Sequence, residues 1–342
     1  MFESDHSFDD WQLRMLHHDE SFRALSLNLN RMETSFSQQL AHWRESLFSF
    51  CVENWLTVIR YNTTVETVTL DLSVLENTIW KKNQIRGLLI AIASLPKLRK
   101  LVLRQNNLGS PRRLHSLQAI LGVIEENHSI ECLELWGNEI VPGTEELLQE
   151  FETRIQDMQG LKSFKLLGFR LEPEHVQTFL PIMNKPSLTE FCLGNTSDGF
   201  VPVAEILKTN VNLEKLTLSF VNQVEDGNCL HLADALYYNT TLHMLSLLNT
   251  SPRDNHSGIS ARSESALVQM VKHNMTLKEI KTRGEPCDEI CLYLKLNALG
   301  RRHLFQRGGV TRELWVDALI SSRGDPECSF YFLTMNPSVC VS

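Results

Sequence analysis

Long apolar runs are missing from this sequence. The most apolar stretch, Gly87 to Leu95, falls far short of the about 20 residues that a membrane-spanning helix needs. The first ten residues hold Glu3, Asp5, Asp9 and Asp10 but no Lys or Arg, the reverse of a secretory leader, so the expected location is the cytoplasm or the nucleus. Cations are outnumbered, with 33 Lys and Arg against 41 Asp and Glu for a net charge of −8. Neutralising phosphates requires clustered cations, and the composition therefore argues against nucleic acid as the partner. Paired metal-ligand spacings are also absent. Cys51, Cys132, Cys192, Cys229, Cys287, Cys291, Cys328 and Cys340 are scattered and read as reduced thiols of a reducing compartment. A zinc site would need two clustered ligand pairs, and no metal or cofactor is expected.

Motifs of catalysis are missing too. The histidines, among them His17, His18, His115, His128, His231 and His243, share no repeated position. There is no H-E-x-x-H, no G-x-S-x-G and no glycine-rich phosphate loop. Gly308-Gly309 follows Arg307 without the strand and lysine such a loop requires, and Arg323-Gly324-Asp325 reads as a loop and helix cap. The chain is expected not to be an enzyme.

What the sequence does hold is self-similarity. A fragment close to L-x-x-L-x-L-x-x-N occurs nine times. Its first copies are Phe22, Leu25, Leu27, Asn30; Val65, Val68, Leu70; Leu98, Leu101, Leu103, Asn106; Ile130, Leu133, Leu135, Asn138; and Leu161, Phe164, Leu166. The rest are Leu188, Phe191, Leu193; Leu213, Leu216, Leu218; Leu242, Leu245, Leu247; and Leu277, Ile280, Thr282. A period of this length marks a solenoid in which each repeat supplies one short strand and one helix. Side chains alternate along a strand, so Leu101 and Leu103 turn inward while Lys100, Val102 and Arg104 face outward. Between the fragments, apolar residues recur at helical spacing over Ile85–Ala93, His115–Glu126, Thr144–Met158, Glu174–Met183, Val203–Lys208, Leu230–Tyr238 and Glu264–His273.

An Asn stands three residues before the strand fragment in five copies, at Asn62, Asn127, Asn210, Asn239 and Asn274. Because Asn tolerates the left-handed conformation, these residues read as helix stop signals. Four of them, Asn62, Asn127, Asn239 and Asn274, also spell N-x-S/T, but a chain kept from export would not be glycosylated there.

Residues 1–21 suit an N-terminal cap, 22–286 the repeats, and 287–342 a helical C-terminal cap that shields the last coil. The period is broken twice: by an enlarged helical insertion over 31–61 carrying Leu40, Trp43, Leu47, Trp55 and Val58, and by a polar loop over 249–263. Thr311 and Asp325-Pro326 should open two of the terminal helices.

Two of the repeat segments, Leu95–Gly109 and Asn127–Ile140, resemble the ribonuclease-inhibitor-like leucine-rich repeats. The resemblance runs from about Phe22 to Glu285. The segments Leu294–Leu304 and Thr311–Cys340 are similar to a C-terminal module of microalgal members of this class. The resemblance implies an α/β horseshoe, a right-handed superhelix with a parallel concave sheet and helices on its convex side. It also implies that a protein is bound on the concave face. The Asn place of the consensus is filled by Asn only at Asn30, Asn106 and Asn138, so a buried asparagine ladder at that place is incomplete.

Equivalent strand positions form columns across such a sheet. One column brings Arg104, Trp136 and Leu167 together, and the column before it Val102, Glu134 and Lys165. Trp and Arg dominate binding hot spots, and these six are the candidate protein-binding residues. The expected function is an intracellular interaction scaffold, monomeric alone, whose partner protein the sequence does not identify. The alternatives are a small-GTPase regulator, which would need an exposed arginine such as Arg104, and a ligand-sensing module of immune or stress receptor type.

Overall fold

The computed structural model describes residues 23–28, 56–71, 82–104, 114–137, 145–168, 173–194, 200–220, 226–249, 260–282, 284–304 and 312–336. The expected N-terminal cap lies outside them, as do most of the insertion, most of the polar loop, and Asn30, Asn106 and Asn138.

Nine strands follow one another in sheet order. They are β1 (Ala24–Asn28), β2 (Thr67–Asp71), β3 (Lys100–Arg104), β4 (Cys132–Trp136), β5 (Ser163–Leu167), β6 (Glu190–Leu193), β7 (Lys215–Phe220), β8 (Met244–Asn249) and β9 (Glu279–Lys281). Helices alternate with them: α1 (Lys82–Ala93), α2 (Leu114–Glu126), α3 (Glu145–Asp157), α4 (Pro173–Phe179), α5 (Phe200–Thr209), α6 (Asp226–Tyr238) and α7 (Ala261–His273). This is an α/β repeat solenoid with parallel strands. The chain divides into two units, residues 1–188 with 192–194 and residues 189–191 with 195–342.

In the first unit the registers match repeat to repeat. Leu25, Val68, Leu101, Leu133 and Phe164 align across β1 to β5, as do Leu27, Leu70, Leu103, Leu135 and Leu166. From Val68 onward these residues are buried with almost no exposure, and Leu88 and Ile92 of α1 are equally buried. The pattern follows from elementary packing, since each strand hides alternate residues and each helix hides one stripe. Where a strand is entered, charges alternate in sign from repeat to repeat. Arg23 pairs with Glu66 at 3.8 Å, and Glu131 pairs with Arg99 at 3.2 Å and Lys162 at 2.9 Å. The hydrogen bond from Lys162, helped by the charges of Lys162 and Arg99, holds the Glu131 carboxyl below its usual value. Exposed pairs of this kind contribute about 0–1 kcal/mol each, so they bias the register rather than support the fold.

The helix expected over Glu174–Met183 divides. α4 ends at Phe179 and a 3-10 segment, Leu180–Asn184, follows. Pro181 is the reason, because a residue without an N–H cannot continue the α-helical ladder.

The asparagines before the strands require a correction. At Asn274 the backbone is extended, φ −70 and ψ 118, not left-handed. The side chain does the work instead. Asn274 Nδ2 donates to the carbonyls of Leu236 at 2.6 Å and Asn239 at 2.9 Å, and its Oδ1 accepts from the amides of Thr276 and Leu277. Asn239 repeats the set one coil earlier, donating to Leu207 and Asn210 and accepting from Thr241 and Leu242. Asn127 donates to Ala93 and Leu95. A buried asparagine ladder does exist, then, but at the helix-to-strand turn, where it satisfies backbone groups of the preceding coil. Glycan attachment at Asn62, Asn127, Asn239 or Asn274 would have to extract a buried amide. In one coil the place is taken by Lys185, which has the same extended backbone and reaches the Gln156 carbonyl with Nζ at 2.6 Å. Burial lowers the pKa of this ammonium.

In the second unit, α8 (Asp288–Ala298) continues the ladder through Asn297, which donates to the carbonyls of Asn274 and Leu277. Gly300 then takes φ 90, the left-handed turn that stops a helix. Arg301, 1% exposed, lies under the Tyr293 ring at 4.9 Å and donates to the carbonyls of Val271 and Asn274. Beyond α9 (Arg301–Leu304) come α10 (Arg312–Ser321) and α11 (Pro326–Met335). Leu296, Leu304, Trp315, Ala318, Cys328 and Phe332 form a small core there, and burial pushes the Cys328 thiol up to about 11. Asp325 accepts from the Cys328 amide at 3.2 Å and caps α11, so the Arg-Gly-Asp tripeptide ends in a helix cap.

Candidate functional site

The outward side chains of β3, β4 and β5, all in the first unit, are set by register. Cys132 stands between Lys100 and Ser163, and Glu134 between Val102 and Lys165. Trp136 pairs with Leu167 and follows Leu135 as Arg104 follows Leu103. The sheet therefore brings all six candidate residues onto one face.

Their exposures differ. Arg104 is exposed and Trp136 is 38% exposed, while Lys165 and Leu167 are half-buried. Val102 departs from expectation. It points outward yet is 4% exposed, because it sits in register between Thr69 and Glu134 at a strand spacing of about 4.8 Å, beside the longer side chain of Glu134. Val102 is thus a floor residue rather than a contact.

Around that floor the polar groups are tied together. Trp136 donates its Nε1–H to Glu134 Oε1 at 2.7 Å. The other oxygen, Glu134 Oε2, faces Lys100 Nζ at 3.4 Å. The Arg104 guanidinium lies over the Trp136 ring, 5.9 Å from its centroid, within range of a cation–π attraction. The indole is therefore held at its edge by a carboxylate and near its face by a cation. Arg104, the residue a GTPase regulator would use, has its guanidinium against this ring. Lys100 did not figure among the candidates. Its signal was the alternation that puts it outward two residues before Val102.

Beyond Trp136 the strands end in glycines. The Gly137 amide donates to the Leu167 carbonyl at 2.9 Å, and the Gly194 amide to the Leu166 carbonyl at 2.7 Å. Gly168 has φ 69, and a Cβ there would lie 2.8 Å from the Gly137 carbonyl oxygen. At Gly194 a Cβ would press on the Leu166 carbonyl at 3.0 Å and the Gly168 amide at 3.2 Å. Gly168→Ala is expected to destabilise the first unit by about 1–2 kcal/mol from the left-handed backbone alone, with the carbonyl clash in addition. A melting temperature equal to the parent's would refute this.

The Cys132 thiol on this face is raised in pKa by burial and so is poorly nucleophilic. Among the described residues no group of three or more His, Cys, Asp or Glu is placed to hold a metal ion, and no helix is long and apolar enough to cross a membrane.

No protein-family model and no curated protein matches the chain. Among solved structures it is similar to one titled "Leiomodin-1 Actin-Binding Site 2 (ABS2)", with 20% identity and a TM-score of 0.38, covering 48% of this chain and 94% of that one.

Proposed function

We propose that the chain is a non-enzymatic interaction scaffold of the ribonuclease-inhibitor-like leucine-rich repeat class, of the microalgal type with a helical C-terminal module, working inside the cell. It binds a partner protein on the open face of its sheet, with Trp136 as the anchor. The observation that carries the reading is the restraint of a part-exposed indole by Glu134 and Arg104 on a face whose centre is otherwise shaded. An exposed aromatic restrained in advance loses little side-chain entropy on binding, which is what a hot spot requires.

Affinity capture with the intact chain, followed by titration of the captured partner, tests the proposal. Trp136→Ala is expected to weaken binding by about 2 kcal/mol or more, with an unchanged circular dichroism melt. Equal affinity for parent and variant would remove the indole, and this face with it, as the binding site.

A further inference from the structure

We propose that Cys287 and Cys291 form a two-thiol site for a soft monovalent metal ion, copper(I), at the start of α8. The site lies in the second unit and does not depend on the scaffold reading above.

The pair is set by the turn that opens the helix. Cys287 is the N-cap of α8, and its carbonyl accepts from the Cys291 amide at 3.1 Å. Residues joined by one such turn share a face of the helix. A helical side chain leans back toward the N-terminus, and the Cys291 sulfur does so, donating to the Pro286 carbonyl at 3.5 Å. The Cys287 side chain makes no capping bond, which leaves its sulfur available. Both thiols are free and part-exposed. The turn itself is anchored from α7, since Glu264 Oε1 accepts from the Cys287 amide at 3.2 Å.

A cation between the two sulfurs answers the electrostatics of the turn. Burial raises the pKa of the Cys291 thiol, and Cys287 comes next, ahead of Asp288 and Glu285, while Lys295 opposes them. The pair therefore resists carrying two negative charges with nothing between them. On binding, two S–H bonds break, two sulfur–copper bonds form and both protons go to solvent, with no electron transferred. Neighbours one helical turn apart hold their Cβ atoms about 5–6 Å apart, wider than the about 3.5–4.5 Å that a disulfide takes. An intervening ion with two bonds to sulfur of about 2.3 Å, the length zinc makes, suits the wider gap. Ligand type and number then choose the ion. Thiolates favour copper(I) and zinc. Zinc takes four ligands in a structural site, whereas copper(I) is satisfied by the two sulfurs this turn offers.

The intact, reduced chain is titrated with copper(I) in oxygen-free buffer against bicinchoninate, a coloured copper(I) chelator. The parent should hold one ion per chain more than the Cys287→Ser/Cys291→Ser double variant. Each single substitution should lose that ion, and Cys132→Ser should keep it. A second measurement needs no variant. Iodoacetamide alkylation of the parent chain, read by peptide mass mapping, should show Cys287 and Cys291 protected together when copper(I) is added. The proposal is overturned if the double variant binds as much copper(I) as the parent, if either single variant keeps the ion, if the metal protects only one of the two thiols or neither, or if equimolar zinc displaces the copper.

Discussion

Asn239→Ala is expected to cost the second unit at least about 3 kcal/mol, more than any surface substitution should. The side chain joins two coils through four bonds to backbone groups: Nδ2 to the carbonyls of Leu207 at 2.9 Å and Asn210 at 3.2 Å, and Oδ1 from the amides of Thr241 at 3.0 Å and Leu242 at 2.8 Å. Removing it takes the partner from the Thr241 and Leu242 amides and from the Leu207 carbonyl, while the Asn210 carbonyl keeps the Thr241 hydroxyl at 3.4 Å. Each buried group left unsatisfied costs about 1–3 kcal/mol, although water can rescue those nearest the surface. Asn239→Asp keeps the acceptor and loses the donor, so it should fall between parent and Ala. Asn239→Gly separates two explanations. If the residue served to stop a helix in a left-handed turn, Gly would be neutral or better. If it bridges coils, Gly is no better than Ala. Hydrogen exchange at the Thr241 and Leu242 amides gives the local readout, because a repeat array need not unfold in one step. Parent-like protection in the Ala variant would refute the bridging role.

The contrast at these asparagines shows what a sequence makes legible. The strand leucines could be read directly, because a period of two inside a longer repeat leaves one way to bury them. Leu101, Leu103, Leu133 and Leu135 are inward and fully buried as the pattern requires. The asparagines could be placed but not understood. Spacing located them at the helix ends, while their partners, the carbonyls of a coil some 30 residues away, belong to the stacking and leave no local pattern. Lys185 shows the same limit from the other side, since a lysine in that place does not look like an asparagine until both are seen reaching a neighbouring carbonyl. The face was half legible. Alternation set Arg104, Trp136 and Glu134 side by side, but it could not say that Glu134 would be consumed by Trp136 and Lys100, or that Val102 would be shaded. Those outcomes depend on how long side chains lean across adjacent strands, a cross-strand property rather than a periodic one.

Phe164→Ala is expected to destabilise the first unit by about 3–5 kcal/mol. Phe164 enters from β5, Phe151 from the helix before it and Phe179 from the helix after it, and all three are fully buried. Their ring centroids lie 6.3 Å apart for Phe151 and Phe164 and 6.4 Å apart for each of the other two pairs. The cluster therefore ties one strand to both of its flanking helices. Truncation loses the apolar burial and leaves a cavity that three separate elements would have to move to fill, and it also removes two aromatic contacts worth about 0.5–1.5 kcal/mol each. Phe164→Leu, which restores the residue type found at this place in most other coils, should recover most of the loss. The functional consequence follows from alternation. Phe164 fixes β5 so that Lys165 and Leu167 face outward, and a slip of one residue would exchange the buried and open sides. The variant should therefore lose affinity for the partner in proportion to its loss of protection in β5, while Phe164→Leu retains both. Full affinity in an Ala variant whose β5 amides exchange freely would show that the face does not depend on this strand, and would separate the binding site from the core proposed to hold it.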